Sequence, residues 1–358
     1  MRGVAAIVVM LFHLGVPYRA VSGWFGSGYL AVDFFFALSG FVLAHAYGER
    51  TMSAIEFLKA RAIRLYPLYF AGIVFGLSAA LASGVTLGQV VKPLSFGLFF
   101  LPSPTLQHSG HIPLYPLDLP AWSLLFELLA NAVWYPLRSR LRGPLATLVI
   151  ALSALAVIAL SLAFGSLDTG AYWNNFVSGF GRVAFSFLMG ALIYRVWRHT
   201  AFRPKLPSWL VAGGLLVILA SRFPHVVFDP VAVILLMPPL VFLGACCETV
   251  SNSATQIQTS LGEISYAVYT LHLPIIILGN HLLVADGALR GLVAHPALVA
   301  MPLTVSAILL TAWSLDAFYD RPVRRWLSRI GGSHRDPPER HPLPAAASTV
   351  VDPPTLRH

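Results

Sequence analysis

Five ionisable side chains stand inside long apolar runs, namely His13, Asp33, Glu127, Arg182 and His272, and Arg61 and Arg64 sit at the edge of another run. Such groups are costly in lipid and persist mainly where they serve function. His13, in VVMLFHLG, suits a general base, because a free imidazole titrates at about 6.5. A buried histidine bonded to a carbonyl fits the same residue. Asp33, in GSGYLAVDFFFALSGF, needs a partner, since a carboxylate buried alone is strongly disfavoured. His13 is the expected one, with Asp33 orienting the ring; a salt bridge between helices is the alternative. Glu127, in AWSLLFELLANAVWYP, falls within two helical turns of Trp122 and Ser123 and reads either as a proton-handling group or as a partner for Arg182. His272, in GEISYAVYTLHLPI, is either structural or chemical.

Arg61 and Arg64, in FLKARAIRLYPLYF, are three residues apart and share a helix face. Two guanidinium groups so placed can grip a phosphate, although ordinary charge at a cytoplasmic membrane edge has the same pattern. His108 and His111 have a spacing that metals use, but no third ligand accompanies them and no metal is expected. There is no glycine-rich phosphate loop, serine elbow or zinc signature. Cys246 and Cys247 are adjacent in an apolar run and read as packing residues.

The elements that position these residues are membrane helices. Hydrophobic residues make up 57% of the 358 and charged ones 11%, against about 25% charged in a soluble domain; mean hydropathy is +0.73. The net charge of +9 does not point to nucleic acid. Lys and Arg cluster in short linkers between apolar runs, which is an orientation signal. Eleven hydrophobic stretches occur: residues 3 to 17, 28 to 47, 65 to 83, 88 to 101, 121 to 137, 145 to 164, 176 to 197, 207 to 221, 228 to 247, 264 to 284 and 297 to 318. Basic linkers follow the second (Arg50, Lys59), fifth (Arg138, Arg140, Arg142), seventh (Arg195, Arg198, Arg203) and eleventh (Arg321, Arg324, Arg325). These alternate correctly only if the fourth stretch, interrupted by Gly97 and Pro102, is re-entrant or interfacial.

The expected fold is therefore an all-α polytopic bundle of about ten transmembrane helices with both termini cytoplasmic. Residues 1–330 form the membrane domain, and 331–358, rich in Pro, His, Ser and Ala, form a disordered cytoplasmic tail. The N-terminus lacks the small-residue cleavage site of a signal peptide, and the first stretch begins so close to Met1 that a few further residues are expected upstream.

With these pieces in order, RGVAAIVVMLFH, GYLAVDFFFALSGFVL, FLKARAIRLYPLY, WSLLFE and ISYAVYTLHLPI, the chain resembles the membrane-bound acyltransferase family 3 over roughly residues 1 to 326. These are bacterial O-acyltransferases that modify surface and exported polysaccharides. The resemblance implies transfer of an acyl group, usually acetyl, from acyl-CoA to a hydroxyl of a carbohydrate or lipid-linked sugar, in the bacterial inner membrane. It further implies that His13 is the catalytic histidine, Asp33 and Glu127 the family's acids, Arg61 and Arg64 the arginines for the CoA phosphates, and Arg2 the arginine of the opening motif. Two rival readings keep the residues but change the role. One is the same chemistry on a macrolide or lipid hydroxyl. The other is a proton-coupled transporter, against which stands the lack of a paired repeat.

Overall fold

The computed structural model describes residues 1–18, 23–104, 111–247, 252–285 and 296–330. Every apolar stretch becomes a helix: α1 (Arg2–Tyr18), α2 (Ala31–Tyr47), α3 (Ala54–Ala82), α4 (Leu87–Leu98), α5 (Ala121–Leu137), α6 (Gly143–Phe164), α7 (Val177–His199), α8 (Ser208–Leu219), α9 (His225–Val231), α10 (Met237–Cys246), α11 (Asn252–Asn280), α12 (Pro296–Leu315) and α13 (Arg321–Ile330). Wide turns join α9 to α10, extend α11 and join α12 to α13. No strand occurs among the described residues. The expected tail, 331–358, and His108 lie outside the described residues.

Seven helical segments are long and apolar enough to cross a membrane: Gly28–Tyr47, Ala54–Ala82, Gly143–Phe164, Val177–His199, His225–Cys246, Gln258–Leu283 and Val299–Ile330. Helices α1 and α8 are shorter apolar helices, and α5 has 17 residues. At 12 residues, α4 covers about 18 Å, and it buries only Val90 and Gly97. On α6, Leu145, Leu148, Leu152, Leu155 and Leu162 are exposed along one side. That apolar surface belongs against lipid tails. The protein is a multi-pass membrane protein.

Two contacts set the frame. Helices α2 and α7 pack face to face through reciprocal glycines. A Cβ on Gly40 would lie 1.9 Å from the Phe187 carbonyl oxygen, and one on Gly190 would lie 1.9 Å from that of Ala37. Only hydrogen fits at either position, so the backbones touch. Helix α1 lies along α11 in the same manner, with Gly3 against Leu261. The basic linkers gather at one end of the bundle. Arg138 donates to the Arg50 carbonyl at 2.9 Å, Arg195 to the carbonyls of Leu141 and Arg138 at 2.6 and 3.2 Å, and Arg198 pairs with Glu49. Helix α3 enters from this end through a capping box in which Ser53 and Glu56 satisfy each other's backbone N–H groups at 2.7 and 3.2 Å.

Candidate active site

His13 lies two-thirds of the way along α1, beside α11. Its Nδ1 is 3.0 Å from the Val9 carbonyl oxygen and 3.2 Å from His272 Nε2. His272 is fully buried, and its own Nδ1 faces the carbonyl oxygens of Val268 and Tyr269 at 3.1 and 2.6 Å. Carbonyls only accept, so His272 Nδ1 carries the proton and Nε2 is an acceptor. His13 Nδ1 therefore meets two acceptors and must hold the proton itself. Its Nε2 is left with a free lone pair and makes no hydrogen bond among the described residues. The backbone of two helices thus selects the tautomer that a general base needs.

His13 lines a cavity of about 500 Å³ at the end of the bundle opposite the basic linkers. Phe12, Tyr172, Asp168 and Asn280 also face this outer cavity. A second, inner cavity of about 80 Å³ is lined by Arg2, Arg61, Arg64 and Glu127. Val32 and Tyr269 line both and form a shared wall. The Tyr269 hydroxyl is held 2.7 Å from Ser123 Oγ.

In the inner cavity Glu127 accepts from Ser39 Oγ at 2.6 Å and from Arg61 at 2.9 Å. Arg64 and Arg2 make no hydrogen bond or ion pair among the described residues. Three guanidinium groups against one carboxylate leave an excess of positive charge, which suits an anion. Arg61 and Arg64, which the sequence spacing singled out as a matched pair, line the same cavity; Arg61 is tied to Glu127, and Arg64 faces open space with Arg2.

Two expected partnerships are corrected. Asp33 does not reach His13: both its oxygens are taken by Arg182, at 2.6, 3.2 and 3.3 Å, with Ser186 Oγ at 3.5 Å. Both members are essentially fully buried. A planar guanidinium matches a carboxylate in a way an imidazole cannot, and α7 is the helix that α2 touches most closely. Glu127 accordingly pairs with Arg61 rather than Arg182. The spare donors of Arg182 go to the carbonyls of Thr169 and Tyr29, at 2.6 and 3.3 Å, and its plane lies 5.2 Å from the Trp122 ring. Asp33 therefore anchors the loop between α6 and α7 instead of orienting the histidine.

Sequence reading missed Asp168 in that loop. The only available signal was an acid in a linker free of Lys and Arg. Its carboxyl opens onto the cavity, yet surrounding protein pushes its pKa above the ordinary carboxylate range, opposed by the nearby positive charge of Arg182. Among the described residues no group of three or more His, Cys, Asp or Glu side chains could hold a metal.

The sequence pattern of an acyltransferase domain matches residues 1–316. Protein 2 of the picA locus of Rhizobium radiobacter is 39% identical over 46% of this chain and 92% of its own length. The exopolysaccharide production protein ExoZ of Rhizobium meliloti is 28% identical over 74% of this chain and 80% of its own. BcsY of Komagataeibacter xylinus, named as a membrane-bound transacylase, is 26% identical over 90% and 83%. No solved structure matches the chain significantly.

Proposed function

Because the chain belongs to the membrane-bound acyltransferase family 3, whose domain it carries over residues 1–316, we propose that it moves an acyl group, acetyl in the simplest case, from acyl-CoA to a hydroxyl of an exported polysaccharide. The observation that carries this reading is the free Nε2 of His13 in an open cavity, with a guanidinium-lined cavity behind one shared wall. The names of two relatives, one in exopolysaccharide production and one a membrane-bound transacylase, agree with it.

In this reading the CoA phosphates rest on Arg64 and Arg2, with Arg61 held in place by Glu127, and the thioester passes Val32 and Tyr269 to reach His13. A sugar hydroxyl enters from the outer cavity. As its oxygen attacks the thioester carbonyl, His13 Nε2 takes the hydroxyl proton. The C–S bond then breaks, and the departing thiolate receives that proton, leaving an O-acyl ester and free CoA. The imidazolium formed in between is steadied at Nδ1 by the Val9 carbonyl and by His272. Asp33 acts at one remove, by fixing Arg182. No metal is invoked.

The topology that suits this chemistry has ten crossings: the seven long segments together with α1, α5 and α8, with α4 interfacial. Both termini and the basic linkers face the cytoplasm of a bacterial inner membrane, as positive charge does. The test uses the protein in lipid with acetyl-CoA and an oligosaccharide cut from the host's exopolysaccharide. Wild type should release CoA and yield an oligosaccharide heavier by one acetyl group. Saccharide-independent uptake of protons, with no ester formed, would favour the transporter instead.

A further inference from the structure

Asp168 is held by its neighbours while its own carboxylate is left unused. The backbone N–H of Leu167 donates to Asp229 at 2.8 Å, the Thr169 carbonyl accepts from Arg182 at 2.6 Å, and the N–H of Gly170 donates to Asn175 at 2.9 Å. Gly170, at φ +111°, lies against the Trp122 ring where a Cβ would come within 2.5 Å. The loop is thus pinned on both sides of one residue. The Asp168 carboxylate makes no hydrogen bond or ion pair among the described residues, and it opens onto the same cavity as His13 Nε2. A rigid frame that presents one unsatisfied acceptor group is how a site fixes a donor-rich ligand.

The rest of the lining says which ligand. Tyr172 and Asn280, both partly exposed, add a hydroxyl and an amide, and Phe12 and Leu273 add apolar surface; besides His13 the basic side chains there are His281 and Arg182, and Arg182 is already bound to Asp33 and two carbonyls. About 500 Å³ lies within the usual range of small-molecule sites. A sugar ring has this character: hydroxyl donors round the rim and apolar C–H faces. A carboxylate receives two such hydroxyls by charge-assisted bonds and repels an acid. We propose that Asp168 is the specificity-determining residue of the acceptor site, gripping hydroxyls of a neutral sugar ring beside the one offered to His13 and rejecting uronic acids. This rests on the acyltransferase reading given above.

The experiment compares wild type, Asp168→Asn and Tyr172→Phe in lipid, with a neutral glucan oligosaccharide and its glucuronate counterpart as acceptors. Wild type should favour the neutral acceptor. Asp168→Asn should raise the neutral acceptor's KM about tenfold or more, leave the acyl-CoA KM unchanged and erase the preference. Should that variant fail to fold, Tyr172→Phe should still raise the acceptor KM severalfold without touching the donor KM. Unchanged acceptor KM and preference in the folded variants overturns the proposal. If wild type transfers to neither saccharide, direct binding to the His13→Ala protein decides. Neutral saccharide binding weakened about tenfold by Asp168→Asn keeps the sugar site while sinking the enzymatic reading, and binding that is absent or indifferent to Asp168 sinks the site as well.

Discussion

The inner and outer cavities are built on opposite principles. The inner is small, with three guanidinium groups crowded round it and one carboxylate. The outer is several times larger and mostly apolar and aromatic, and it carries the Asp168 carboxylate and the His13 imidazole beside an Arg182 already committed to Asp33. In the inner cavity an ion pair, Arg61 with Glu127, stays at the wall and sets the orientation of the charge. In the outer half the ion pair, Asp33 with Arg182, reaches the cavity wall only through the committed Arg182 and holds a loop. The difference teaches that buried charge in one bundle has two uses: meeting a ligand directly, or holding the backbone that meets it. Ion pairs buried as deeply as Asp33 and Arg182 contribute little net stability, yet breaking one exposes the cost of the orphan.

The sharpest way to break the comparison is His13→Ala, which should cut transfer by about 10²- to 10⁴-fold while membrane insertion and thermal stability stay at wild-type levels; transfer at the wild-type rate would leave the outer cavity without chemistry. Next comes Arg182→Met. It strands Asp33 without a partner and should cost about 3–5 kcal/mol, read as a lowered melting midpoint in detergent, with the additional Asp33→Asn change recovering part of it. No recovery would mean that the pair does not act as a unit. A smaller effect is expected in the inner cavity, where Arg64→Gln should raise the acyl-CoA KM about tenfold, roughly one charge-assisted hydrogen bond, and leave the acceptor KM alone. The reverse pattern would exchange the roles of the two cavities.

The smallest effect concerns Asp118, in the loop before α5. Both its oxygens are buried without a partner, and burial pushes its pKa well above the ordinary carboxylate range. The unfolded chain gives up this proton at about pH 3.9 while the folded chain keeps it. Stability should therefore decline as pH rises from about 4 towards the folded value. Asp118→Asn should flatten that decline and leave activity unchanged; melting midpoints at pH 4 and pH 8 decide it.

The sequence was most legible where lipid imposes the rule. A helix crossing hydrocarbon must be a long apolar run, so every apolar stretch from α1 to α12 could be read directly as a helix. The cavity-lining His13, Glu127 and Arg64 were legible for the same reason, because they stand out against an apolar background, as does Asp33. Their partnerships were not. Asp33 and Arg182 are 149 residues apart, and which ionisable group meets which depends on helix contacts that glycines such as Gly40 and Gly190 permit. Asp168 was hidden for the opposite reason. In a loop an acid is unremarkable until the fold wraps a cavity round it.

The close seating of α2 on α7 has a mechanical consequence. Val32 rides on α2, which cannot slide without driving the Phe187 or Ala37 carbonyl off its glycine, Gly40 or Gly190, and into a neighbouring side chain. Tyr269 rides on α11, where Pro274 removes a rung from the helix ladder five residues on. Of the two sides of the partition between the chambers, one is therefore a fixed post. The other is held at its tip, where the Tyr269 hydroxyl meets Ser123 and the Pro120 carbonyl.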